Sequence, residues 1–285
     1  MTSADLSGAR DDAHLVQLWL AQRPESTARV YGPVADAFLA LVGGSIRELD
    51  AATAIQWAES LEGQPATRNR KIVTVKSLLT FAWRTGYTLF NIGRVLRCIP
   101  VPSKVHERIL EEPEMKALFA AASPGRDRTF LRLMYCTGAR VGELCKLRWV
   151  DLAQPGRMSV LGKGSKVRTL VVPAHILAEV LALRPGGATL HDPVFTSKRS
   201  PGDALGVRDA REIVYRTRRR AEQAGLAQDR RVSPHWLRHS HATHALDHGA
   251  PIHVLQQSLG HANVSTTSVY LHVRQNQGSA SYLKV

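Results

Sequence analysis

Residues 233–273 read SPHWLRHSHATHALDHGAPIHVLQQSLGHANVSTTSVYLHV, and this stretch organises the rest of the chain. It holds eight of the twelve histidines. Pro234 can open a helix running through His248, and on it His235 and Arg238, three residues apart, share one face. Gly249 and Pro251 break that helix, and a short amphipathic one follows over Ile252–Leu259. Gly260 ends it and leaves His261 at a turn, after which Asn263 caps a last helix carrying Tyr270. An arginine, imidazoles and a tyrosine brought to one place suit chemistry on a phosphodiester.

Histidine-rich sequence also raises the question of metal. His235 and His239, and again His244 and His248, are spaced four apart, as zinc ligands on a helix are. No glutamate accompanies either pair as a water-activating base, and no third ligand stands at a motif spacing. His239, His241, His244, His248 and His253 therefore read as packed or solvated side chains, and no metal or other cofactor is expected.

Upstream, residues 137–152 read TGARVGELCKLRWVDL. Gly138 makes a break, and Arg140 stands at the start of a helix whose Val141, Leu144 and Leu147 face inward. A guanidinium in that apolar setting is costly unless paired. A ligand phosphate or Glu143 would resolve it; a purely structural Arg–Glu pair is the plain alternative. Residues 158–173, MSVLGKGSKVRTLVVP, alternate as two strands around a turn with Lys163 between two glycines. Taken alone that lysine is a weak signal, and the spacing is not that of a P-loop. Residues 201–226 contain a long helix with six arginines between Arg208 and Arg220. Arg216, Arg218, Arg219 and Arg220 are its candidates for contact with backbone phosphates.

The N-terminal part has a different character. Residues 11–84 read as four helices, of which the second carries Pro33, which predicts a bend. The fourth, over residues 66–84, has Ile72, Val75, Leu79, Ala82 and Trp83 on one face and Arg68, Arg70, Lys71 and Lys76 on the other. A wholly basic face can lie along a phosphate backbone, whereas solvated faces usually mix signs. Residues 91–108, with Gly, two prolines and four Arg or Lys, read as the connection between two domains. The expected division is residues 1–98, a linker at 99–108, and a second domain at 109–285.

Composition bounds the class of protein. The 285 residues carry a formal net charge of +14, which points to a polyanionic partner. Residues 1–65 are acidic on balance, with four basic and nine acidic side chains, and residues 66–104 hold eight basic and none acidic. No run of apolar residues is long enough to span a membrane, and the polar N-terminus does not read as a signal peptide. Cys98, Cys136 and Cys145 have no metal-ligand spacing and read as reduced thiols of a cytoplasmic protein.

Six positions together carry a resemblance. Arg140 in TGARVGEL, Lys163 in GKGSKVR, His235 and Arg238 in HWLRH, His261 in LGHANVSTT and Tyr270 in SVYLHV resemble the tyrosine recombinase (phage integrase) family, and most of all its compact Xer-like members. The likeness covers residues 109–273 and more weakly residues 11–98, which are similar to that family's helical core-binding domain. Ala139 and Trp236 depart from the family's usual residues, at non-catalytic positions. The resemblance implies a mainly α fold: a two-domain DNA clamp, with a helical N-terminal domain and a mostly helical catalytic domain containing a small antiparallel sheet.

It also implies roles. Tyr270 would attack the scissile phosphodiester and form a 3′-phosphotyrosine, while Arg140, Arg238 and His261 hold the non-bridging oxygens. His235 would take the tyrosine proton, Lys163 would protonate the leaving 5′-oxygen, and Glu143 would orient the arginine or histidine side. The implied function is site-specific DNA recombination, in dimer or cointegrate resolution or in mobile-element integration and excision. The expected partners are a double-stranded target site and three further copies in a synaptic tetramer, with a second recombinase or accessory proteins left open and no membrane involved. Tyr282, Leu283 and Val285 would anchor the tail in a neighbouring subunit, or else form a frayed end. Two other functions stay open: strand relaxation like that of a type IB topoisomerase, and a catalytically silent DNA-binding regulator.

Overall fold

The computed structural model describes residues 5–101, 106–162, 166–225 and 232–260. The chain divides into two compact units after Pro102.

The first unit is built from α1 (Asp12–Ala21), α2 (Glu25–Val42), α3 (Ala51–Glu59) and α4 (Pro65–Arg84). Local chemistry sets the helix ends. The carboxylates of Asp11 and Asp50 accept from the N–H groups of His14 and Thr53, satisfying donors that a helix start leaves orphaned. Gly43 ends α2 at φ 66°, and Pro33 is carried within that helix. Leu15, Trp19, Phe38, Trp57, Ile72 and Leu78 form the core, with Phe38 edge-on to Trp57 at 5.0 Å. Trp83, read from the sequence as part of the apolar face of α4, is instead 45% exposed. It stands one residue beyond Ala82, the last buried position of that helix, and so on the rim of the apolar stripe.

The basic face of α4 is only partly open. Lys76 donates to the carbonyl of Leu96 at 2.7 Å, and Asn69 exchanges two hydrogen bonds with the backbone of Ile99. These contacts fasten residues 91–99 along α4. Arg70 remains exposed, and Arg68 and Lys71 are half-buried.

The second unit contains α5 (Glu112–Ala121), α6 (Arg126–Thr137), α7 (Val141–Cys145), β1 (Arg157–Leu161), β2 (Val167–Val171), α8 (Ala174–Leu181), α9 (Val207–Gln223), α10 (Pro234–Asp247) and α11 (Ile252–Leu259). The two strands pair antiparallel, with Arg157 opposite Val171 and Leu161 opposite Val167. Helix α5 packs on α9, and α6 on α10. The core runs through Leu118, Phe130, Leu144, Phe195, Ile213 and Leu237. Ala242, Leu246, Leu255 and Leu259 make a separate small cluster between α10 and α11. Cys145 is buried and Cys136 half-buried, both on helices, while Cys98 is exposed. Among the described residues no helix is long and apolar enough to cross a membrane.

Candidate active site

The site grows from the short turn between α6 and α7. Helix α6 ends at Gly138, whose φ of 61° reverses the chain, and Arg140 follows in extended conformation as the residue before α7. Helix α7 is only five residues long, too short to hold itself. Glu143 holds it instead. Its carboxylate reaches back to the N–H of Arg140 at 2.7 Å and pairs with the guanidinium of the same residue at 2.9 Å.

Glu143 is 7% exposed, so its charge must be matched inside the protein. A second arginine does this. Arg168, on β2, donates from both terminal nitrogens to the two carboxylate oxygens at 2.8 Å, the bidentate geometry that suits a planar guanidinium. Its Nε donates to the carbonyl of Ser258, near the C-terminus of α11, at 2.8 Å. Burial alone would raise the pKa of Glu143. The hydrogen bonds and charge of Arg168, with the N–H and guanidinium hydrogen bonds of Arg140, outweigh it and hold the carboxyl below the usual range.

Arg238 is 5% exposed and fixed by backbone oxygens. Nη1 donates to Gly138 and Nη2 to Leu259, each at 2.5 Å. The last carbonyls of α11 thus meet two guanidiniums, Arg168 and Arg238, at the end of a helix where cations are favoured. One turn before Arg238, His235 stands exposed in the first turn of α10. Its pKa is lowered by partial desolvation and then by the charges of Arg238, Arg211, Arg140 and Arg108.

The other histidines of α10 do different work. His241 and His239 are both pushed down to about 4, chiefly by burial. His244 Nδ1 and the Tyr135 hydroxyl share a hydrogen bond at 2.8 Å, and His248 pairs with Glu112 at 3.0 Å. Among the described residues no three His, Cys, Asp or Glu side chains gather as metal ligands.

The structure thus brings together Arg140, Glu143, His235 and Arg238. Lys163, His261 and Tyr270 lie outside the described residues, as do Tyr282, Leu283 and Val285. The basic candidates on α9 are unequal. Arg218 forms an ion pair with Glu222 and its side chain is 12% exposed; Arg220 donates to Ser123 at 2.6 Å. Arg216 lies 3.9 Å from Asp127, and Arg219 is exposed.

Sequence reasoning missed Arg168. The signal was present: Arg168 and Leu170 alternate on one face of β2, Leu170 is buried, and an arginine on a buried strand face requires a partner.

The second unit is thus mainly helical, with a two-stranded sheet, and is built around an arginine braced by a buried glutamate. Residues 106–277 match the Phage integrase family, and the chain belongs to that family. It is 33% identical over 210 residues to the tyrosine recombinase XerC of Xanthomonas axonopodis pv. citri (strain 306), across 72% of this chain and 66% of that relative, so that it spans just under two thirds of the relative's length. Its fold is similar to that of the XerH site-specific recombinase bound to difH substrate in a pre-cleavage complex, with TM-score 0.65, 19% identity and coverage of 98% of this chain and 84% of the other. It is also similar to the lambda integrase tetramer bound to a Holliday junction, with TM-score 0.68, 18% identity and coverage of 88% and 77%.

Proposed function

We propose that the protein is a site-specific DNA recombinase that cuts and rejoins strands through a tyrosyl ester. The observation that carries this reading is the convergence of charge on His235. Arg238, Arg211, Arg140 and Arg108 all act on that imidazole, and the buried carboxylate that pairs with Arg140, Glu143, is already matched by Arg168. Such a surplus of guanidinium suits a phosphodiester whose negative charge grows during substitution. Family membership and the name of the XerC relative support the same reading.

In the proposed reaction the Oη of Tyr270 forms a bond to phosphorus and the bond from phosphorus to the 5′-oxygen breaks. The tyrosine proton passes to His235. With a lowered pKa this imidazole is neutral at neutral pH and has a lone pair to offer. Lys163 supplies the proton that the leaving 5′-oxygen needs. Arg140, Arg238 and His261 hold the non-bridging oxygens. The ester stores the cleaved bond, so rejoining needs no separate energy source. Recombining two duplex sites exchanges four strands, so the working assembly is a tetramer on DNA. The similar XerH recombinase bound to difH substrate and the lambda integrase tetramer bound to a Holliday junction support a nucleic-acid partner.

The test is covalent trapping. Footprinting of DNA flanking the gene gives a bound site, and a nicked version of that site traps the cleaved state. The wild-type chain is expected to leave a protein–DNA adduct and Tyr270→Phe to leave none while binding equally well. If neither leaves an adduct, the protein is a silent DNA-binding regulator. If plasmid without a bound site is relaxed and two sites give no recombinant, it is a topoisomerase-like enzyme.

A further inference from the structure

We infer that Arg168 is a positioning residue for strand cleavage: it holds Glu143 so that Arg140 stays available to the phosphate, and it seats the two glycines that precede Lys163 and His261. This inference rests on the recombinase reading above.

The two arginines that share Glu143 are bound in different ways. Arg168 commits Nε, Nη1 and Nη2 to the protein, and its side chain is 12% exposed. Among the described residues Arg140 commits one terminal nitrogen to the carboxylate, and its side chain is 34% exposed. A carboxylate favours a bidentate guanidinium partner. Without Arg168, that partner becomes Arg140, drawn inward from the position where a phosphate would meet it. Arg168 occupies the bidentate place and so keeps Arg140 on a single bond.

The same guanidinium is packed against two glycines. A Cβ on Gly260 would stand 3.1 to 3.3 Å from Cδ, Nε and Cζ of Arg168, and Gly260 is held at φ 62°. A Cβ on Gly162 would stand 3.2 Å from its Nη1. Lys163 follows one glycine and His261 the other. One side chain thus fills the space beside the glycine that precedes each of two proposed catalytic groups and orients the carboxylate of a third.

The experiment measures single-turnover cleavage and DNA affinity separately in Arg168→Met, Arg168→Lys and the double variant Arg168→Met/Glu143→Gln. Displacing reacting groups by about 1 Å costs on the order of 100-fold in rate. Arg168→Met is expected to cleave roughly 100-fold slower with affinity changed less than about threefold, since its three guanidinium nitrogens are already bonded within the protein. Arg168→Lys keeps the charge but cannot span Glu143 and Ser258. It is expected to melt near wild type and still cleave at least about tenfold slower. The double variant is expected to be no slower than Arg168→Met, because both changes act through one carboxylate. Wild-type cleavage by Arg168→Lys, or losses that multiply in the double variant, would overturn the inference. Failure of the wild-type chain to form any adduct would instead overturn the reading of Tyr270.

Discussion

Gly138 and His241 are packed so closely that a Cβ on the glycine would lie 2.5 Å from Cδ2 of the imidazole. The contact joins the turn before Arg140 to the middle of α10, and the glycine's own carbonyl is one of the two that hold Arg238. Gly138→Ala meets both that clash and a φ of 61°. The backbone conformation alone costs an L-residue about 1–2 kcal/mol. The variant is expected to melt lower than wild type and to lose cleavage more than its folded fraction explains. Thermal melts and trapping assays on the same preparation check this.

Arg140 and Arg238 separate by what else they do. Removing either preorganised donor is expected to slow cleavage roughly 100- to 1000-fold. Arg140→Ala should melt close to wild type, because its guanidinium leaves Glu143 still held by Arg168. Arg238→Ala strips the donor from two carbonyls in a buried place, and an unpaired polar group there costs about 1–3 kcal/mol. It should lose stability as well as cleavage. Equal melting points for the two variants would count against this division.

The lowered pKa of His235 predicts the acid side of the cleavage profile. As a base the imidazole must be neutral, so the rate rises with pH through its pKa and levels above it. Under limiting DNA, kcat/KM reports the free protein, and its acid limb should fall below the usual imidazole value. With saturating DNA the bound phosphate offsets the arginine charges, and the limb of kcat should move to higher pH. His235→Gln should remove the limb from both profiles.

Acid should also weaken the catalytic unit itself. His241 and His239 have pKa values of about 4 when folded and the ordinary value near 6.5 when unfolded. Between those values the unfolded chain binds more protons, so stability is full above about pH 6.5 and declines toward pH 4. Tyr135, His244 and Arg238 surround His241 and add no carboxylate to offset its protonation. The melting temperature is expected to drop by several degrees between pH 7 and pH 5, and less in His241→Gln.

On α9, neighbours should behave differently toward salt. Arg219 is exposed, whereas Arg218 is paired with Glu222. If α9 lies along a phosphate backbone, Arg219→Gln should reduce the slope of log affinity against log salt by about 0.9, the loss of one phosphate contact. Arg218→Gln should leave the slope unchanged and destabilise the helix instead. Matched titrations of the two variants decide this.

Much of the fold was legible because its signals are local. Pro234 and Gly260 punctuate α10 and α11 where the sequence places them. The pairing of Arg140 with Glu143, three residues apart, was also within reach of sequence reasoning. What escaped was long-range. Lys76 reads as a surface cation until Leu96 is brought to it, and Arg218 reads as a phosphate ligand until its exposure is known. The role of Arg168 depends on Ser258, 90 positions away, and no periodicity encodes that distance.

The bracing of this site also sets when it can exist. Glu143 waits for Arg168, Arg168 for Ser258, and the carbonyl of Gly138 for a guanidinium 100 positions later. Contacts so far apart in sequence close late in folding, and a chain emerging from the ribosome folds from its N-terminal end. The first unit can fold while the arginine stage is still unassembled. On the recombinase reading, a growing chain cannot break a strand until α11 is in place, so the order of synthesis itself withholds cleavage from an unfinished protein.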